Sequence, residues 1–195
     1  IEFAQFQGNA VFIGTTISGD ATFFRSRFSD VNFKDATIKG EVQFSEAVLG
    51  RAAFQGAQFG GRSSWQGSSF QGEANFDGAL FLDRACFSDA SFLASVSFAS
   101  AHFQEEALFE GTAFTRTADC SASNFQKDIS FAGASINKMR LSRAQIAGQI
   151  SLHNAEFNRL EARWPVLCNH LSYDGEAYLS LARNYRNLEW FEDAD

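Results

Sequence analysis

"FDGALFLDRACFSDASFLASVSF", residues 76–98, places phenylalanine at 76, 81, 87, 92 and 98, in steps of five, six, five and six. Followed outward, these steps trace one ladder of large apolar residues, from Phe12, Ile17, Phe23, Phe28 and Phe33 through to Leu141, Ile146, Leu152 and Phe157. Two residues before each rung sits a smaller class. Of its 28 positions, 25 are Ala, Ser, Thr or Val, the exceptions being Ile129, Met139 and Ile150. Small-x-large-x-x is neither the 3.6-residue period of a helix nor the alternation of an isolated strand. Two inward residues in every five describe one short extended side of a repeating coil.

The two residues after each large one must turn the corner, and there the glycines collect. Twelve of the 15, Gly14 and Gly56 among them, lie two places after a ladder residue, where a tight turn is expected to need positive φ. The six-residue steps give the number of sides. An extra residue follows Ile17, Ile38, Phe59, Phe81, Phe103, Phe125 and Ile146, always after four ladder positions. A bulge recurring on every fourth side predicts a square coil of 21 residues, widening to 22 in the middle where a diagonal corner also lengthens. A meandering sheet gives no reason for that recurrence. Stacked coils should align Phe12, Phe33, Phe54, Phe76 and Phe98 in one column, and Phe23, Phe44, Trp65, Phe87, Phe109 and Phe131 in another. At about 4.8 Å per coil, seven coils make a rod on the order of 35 Å long.

The small-x-large-x-x ladder, rich in Phe and with its sixth residues, resembles the pentapeptide repeat family over residues 1–157. The resemblance implies an all-β solenoid, a right-handed quadrilateral β-helix of about seven to eight coils, with a C-terminal helical cap. It does not imply one activity, because fold and function are separable.

Residues 158–195 read differently, as a cap or linker and an α-helical tail, broken off inside a larger unit. The only proline, Pro165, stands there, and Trp164, Val166, Leu167 and Leu171 are expected to cover the open sheet edge of the last coil. Tyr178, Leu181, Ala182, Tyr185 and Leu188 share one helical face, with Asp174 or Ser172 as N-cap. Leu181, Ala182, Tyr185, Phe191 and Ala194 also resemble part of a tetratricopeptide repeat, although Glu189 stands where that motif has a turn glycine. Helical extensions of this kind follow pentapeptide rods in membrane-tethered and channel-like proteins. The resemblance therefore admits a membrane-tethered parent, although this chain has no apolar run long enough to span a bilayer. The chain begins with Ile rather than Met, which reads as an excised or processed piece.

Little in the sequence points to chemistry. The three cysteines, Cys86, Cys120 and Cys168, have neither disulfide nor zinc spacing, and reduced thiols suit a cytoplasmic chain. His102, His153 and His170 lie far apart with no partner at ligand spacing. No catalytic residue, cofactor or metal is expected, and the chain reads as a non-enzyme. A net charge of −7 disfavours direct binding to nucleic-acid phosphate. The stacked bulge residues Asp20, Glu41, Arg62, Arg84, Glu106, Asp128 and Gln149 mix signs, which predicts cross-rung salt pairing.

Two surfaces stand out. Leu80, Leu82, Leu93 and Leu108 are expected to form an outward docking patch beside Cys86. Tyr178, Leu181, Tyr185, Leu188, Trp190 and Phe191 offer a tail interface, including one for a homodimer. The expected function is a non-catalytic scaffold or protein-interaction module of a larger protein, its partner not named by the sequence. The alternative follows from the resemblance: a DNA-mimicking regulator of a topoisomerase such as gyrase, as in related quinolone-resistance proteins.

Overall fold

A computed structural model describes residues 4–193. Residues 4–162 wind as a parallel β-solenoid with four faces, in which each side presents its two inward residues to a common core. In chain order down one face, Phe28 lies opposite Leu49, Leu49 opposite Phe70 and Phe70 opposite Phe92. The series continues from Phe92 through Phe114 and Ile136 to Phe157. The shorter circuit therefore runs at both ends and the longer one between, as the six-residue steps require. Among the described residues three sheets make the four faces: two have seven strands each and the third has ten. The strands Arg27–Asn32 and Val48–Ala53 run straight across one corner and fuse two faces into that larger sheet.

The expected columns are present. Phe12 stacks on Phe33 with ring centroids 4.4 Å apart, Phe54 on Phe76 at 4.7 Å and Phe76 on Phe98 at 4.9 Å. In the second column Phe23 stacks on Phe44 at 4.7 Å, Trp65 on Phe87 at 4.7 Å and Phe109 on Phe131 at 5.1 Å. The columns also meet each other edge to face, as Phe76 does with Phe87 at 5.5 Å. Stacked and edge-on contacts satisfy the ring quadrupole in both directions, and each such pair adds about 0.5–1.5 kcal/mol to area burial. Backbone N–H groups donate to the next coil, for example Phe33 to the Ala53 carbonyl and Phe54 to that of Asn75, both at 2.7 Å.

The corners divide into two kinds, which amends the reading of the glycines. At the tight two-residue corners the second residue is left-handed, with Gly56 at φ +64°. The same position is filled by Arg25, Asp35, Glu46, Asp89, Ser100, Ala122, Arg143 and Asn154, all at φ +53° to +60°. At the wide corners glycine serves a different need. A Cβ at Gly148 would lie 2.6 Å from the backbone nitrogen of Asp128, because successive coils press together there.

The solenoid also runs past Phe157. The strand Glu156–Glu161 stays in register, with Leu160 opposite Met139 and Glu161 opposite Arg140. Leu160 occupies a small-residue slot and Ala162 a large-residue slot, so the inverted sizes hide the last side in the sequence; both are buried. Leu167 is fully buried one circuit after Ile146, and Leu171 bridges Ile150 in parallel. The Ile150 N–H donates to the His170 carbonyl at 2.6 Å, so this segment continues one face as a partial further coil.

Helix α1 (Trp164–Leu167) has Pro165 in its first turn, and α2 (Gly175–Asn187) is capped by Asp174, which accepts from the Glu176 and Ala177 N–H groups. The buried face of α2 is Ala177, Leu181, Asn184 and Tyr185. It is rotated from the expected face: Tyr178, Ala182 and Leu188 are only half-buried. The cause is a polar residue. Asn184 Oδ1 accepts from the Leu160 N–H at 2.9 Å and its Nδ2 donates to the Leu160 carbonyl at 2.8 Å, closing the exposed strand edge. After α2, Glu189 takes φ +59°, the conformation glycine would adopt there. Trp190 N–H then donates to the Tyr185 carbonyl at 2.9 Å and the two rings stack, a Schellman ending. Ala194 lies outside the described residues.

Candidate functional site

The four leucines do not form one outward patch. Leu80 lies on one seven-stranded face, laterally opposite His102, whereas Leu108 lies on the other, opposite Cys86. Leu82 stands at the bulged corner between those faces and is 39% exposed. Leu93, 49% exposed, follows half a circuit later. Three of the four therefore wrap one corner, and Leu93 sits diagonally opposite. A linear reading that ranked residues only by nearness to ladder positions could not separate sides from corners.

The bulge column does not pair by salt bridges. Among the described residues no ion pair links Glu41 with Arg62 or Arg84 with Glu106. The carboxylates at the column's ends instead accept backbone N–H groups from the next coil, Asp20 Oδ1 from Glu41 at 2.9 Å and Asp128 Oδ1 from Gln149 at 2.8 Å. Cross-coil ion pairs form elsewhere. Asp30 meets Arg51 at 2.7 Å near one end of the rod. Near the other, Glu161 is held by Lys138 at 3.0 Å, Arg159 at 2.6 Å and Arg140 at 3.1 Å. Partial burial pushes the Glu161 carboxyl up, but the hydrogen bonds from Lys138, Arg159 and Arg140 outweigh it and hold it below the ordinary carboxylate value.

Between these neutralised ends lies a band of one sign. Residues 73–110 carry Glu73, Asp77, Asp83, Asp89, Glu105, Glu106 and Glu110 against Arg84 alone. By contrast, residues 4–72 carry five carboxylates against six Lys and Arg, and residues 111–163 carry four against seven. Among the described residues none of the seven band carboxylates is in an ion pair. Asp77 accepts from the Ser97 hydroxyl and the Ala99 N–H, and Asp83 from the Arg84 N–H. Because they are spread over all four corners, they ring the rod instead of forming a column. The sequence held this signal in its local charge balance, which a reading by column passes over. Leu82 and Leu93 lie within the same band.

His102 is exposed on its strand. His153 does have a carboxylate partner, contrary to the linear spacing: its Nδ1 lies 2.7 Å from Asp174 Oδ2, one coil on. That contact comes first among those that depress the Asp174 carboxyl. His170 Nδ1 lies 2.9 Å from the Gly148 carbonyl oxygen. The described residues contain no group of three His, Cys, Asp or Glu able to hold a metal ion. Cys120 is buried in a ladder slot, and burial pushes its thiol well up. Of the six tail residues, Leu181 and Tyr185 are buried against the rod. Tyr178, Leu188 and Trp190 are half-buried, and Phe191 is 62% exposed.

The family model for pentapeptide repeats, nine copies long, matches residues 4–48 and 76–124. The unmatched stretches include the rungs where Leu49, Trp65, Ile136, Leu141 and Ile146 replace phenylalanine, although the coil register continues through them. No curated protein matches the sequence. Among solved structures, that of trypsin-treated QnrB1, a plasmid-mediated fluoroquinolone resistance protein, is 17% identical over 81% of this chain and 89% of that one, with a TM-score of 0.31. That superposition is too loose to bear on the function of this chain. No helix among the described residues is long and apolar enough to cross a membrane.

Proposed function

We propose that this chain, a pentapeptide-repeat protein whose coils keep one register from end to end, is a non-catalytic scaffold that engages a cationic protein surface through its middle coils. The carrying observation is the ring of seven carboxylates in residues 73–110, a segment whose one basic residue is Arg84; none of the seven is in an ion pair, and Glu73 alone feels the charge of Arg51 on the preceding coil. Unpaired charge of one sign raises the local potential and steers an oppositely charged partner. Leu82, on the same corner as Asp83, Glu105 and Glu106, supplies apolar contact beside them. The regular coils leave their exterior as the working surface, because no insertion longer than one residue builds a cleft wall.

The same ring favours a second reading, the DNA-mimicking topoisomerase regulator, since that role also needs exposed carboxylates. Length favours the first. Residues 73–110 span less than two coils, about 10 Å along the axis. One turn of duplex DNA is about 34 Å, so the band is short for a phosphate backbone, whereas Asp83, Asp89, Glu105, Glu106 and Glu110, on two adjacent corners, suit a compact basic patch.

The test compares capture from source lysate by the full chain, by Asp89→Asn/Glu105→Gln/Glu106→Gln, and by Glu176→Gln/Glu189→Gln/Glu192→Gln in the tail. The scaffold reading expects a basic protein retained by the first and third, released by the second and eluted by moderate salt. Equal retention by all three would remove it. For the rival, inhibition of gyrase supercoiling by the wild type and not by the ring variant would replace the scaffold reading.

A further inference from the structure

One outward column of the ten-stranded sheet is charged only at its two ends. Arg27 pairs laterally with Val48, and the register runs on through Ser69 and Ser91. It continues through Ala113 and Ser135 to Glu156. Phe28 is buried between exposed Arg27 and Ser29, so this column points away from the core. Arg27 and Glu156 are exposed, and among the described residues neither is in an ion pair. At about 4.8 Å per coil the six steps between them span about 29 Å, with Ser91 midway. Leu93, 49% exposed, follows Ser91 at the edge of the same face. The face therefore has an apolar centre, with opposite charges equally far on either side.

Such a pattern is complementary to itself. We propose that this face binds a second copy of the chain, the two rods antiparallel, with the two-fold axis running along the strand of the central coil. Leu93 then meets its own copy on the axis, and Arg27 of each copy faces Glu156 of the other. Parallel rods would set Arg27 against Arg27 and Glu156 against Glu156, so charge selects the antiparallel pair. The same register brings Glu73 opposite Arg116 of the copy at the flanking corner, and both are exposed. Arg51 and Lys138 also come opposite each other, but each already holds a carboxylate, Asp30 and Glu161. Asp89, on the central coil at the other corner, meets its own copy and opposes the pairing. A patch of roughly 29 by 16 Å buries about 900 Å² over both copies, near the lower limit for a specific interface. The dimer is therefore weak. The corner that carries Asp83, Glu105 and Glu106 lies diagonally opposite Leu93 and stays free, so the dimer stands or falls without the acidic ring.

The experiment is sedimentation equilibrium of the full chain in reducing, low-salt buffer, from about 1 to 500 μM. A dimer with a dissociation constant on the order of 10–100 μM is expected. Leu93→Asp sets two charges together on the axis and should leave a monomer at every concentration. Arg27→Glu should weaken the dimer about tenfold, and Arg27→Glu/Glu156→Arg should restore it, because the two residues face each other only in the antiparallel register. All three positions are exposed, so these changes leave the rod folded. Phe191→Asp, in the tail, should change nothing. A chain that stays monomeric, a dimer that survives Leu93→Asp or is broken by Phe191→Asp, or a double reversal without rescue would each overturn the proposal.

Discussion

The rod and its tail are stabilised in opposite ways. In the rod one arrangement recurs: a small and a large inward residue per side, rings stacked at 4.4–5.9 Å between coils and backbone bonds to the next turn. Each contact has a counterpart one coil above or below, so the register is set many times over. In the tail each contact occurs once. Asn184 closes the strand at Leu160, Asp174 both caps α2 and meets His153, and Arg163 ties Asp193 to Trp190. Periodicity therefore protects the rod, whereas a few polar atoms decide whether the tail stays docked.

The sharpest way to break this contrast is Phe76→Ala, at a fully buried ring that touches Trp65, Phe87 and both column neighbours. It is expected to cost about 3–5 kcal/mol and to lower the denaturant midpoint of strand and helix signals together. Asn184→Leu should cost about 2–3 kcal/mol, since it leaves two buried backbone groups of Leu160 unpaired. Here the helix signal should melt first and the strand signal keep its midpoint. Loss of both at one midpoint would show that rod and tail are a single unit.

Acid gives a milder separation. Folding depresses the carboxyls of Glu161 and Asp174, so their contribution is fully present above the ordinary carboxylate pKa of about 4. It is lost as pH falls through the lower folded values. Acidification below about pH 4 should therefore loosen the helix through Asp174 and the last strand of the rod through Glu161, and Asp174→Asn should flatten the dependence of the helix signal alone. Smallest are the left-handed corners. Ala122→Gly in the rod and Glu189→Gly after α2 should each stabilise by up to about 1 kcal/mol, the first shifting the strand transition and the second the helix transition.

The same contrast explains what could be read from the sequence. The square coil, its two circuit lengths and both ring columns were legible because the inward residues differ in size at a fixed interval. Legibility failed wherever that contrast did. Leu160 and Ala162 exchange sizes and hid the final side, and Asn184 is polar, so the buried face of α2 looked as if it lay on Tyr178 and Leu188. His153 and Asp174 stand one full coil apart along the chain, and only winding makes them neighbours. The leucines scattered for the converse reason: outward residues carry no size rule, so side and corner cannot be told apart until the corners are placed.

The ring of carboxylates carries the functional account, and chemical modification of carboxyl groups in the full chain, with and without the captured partner, measures it residue by residue. Bound partner should slow modification of Asp89, Glu105, Glu106 and Glu110 severalfold and leave Asp35, Glu156 and Glu176 at their free rates. Protection confined to the tail or to the ends of the rod, with the ring as reactive as before, would contradict it.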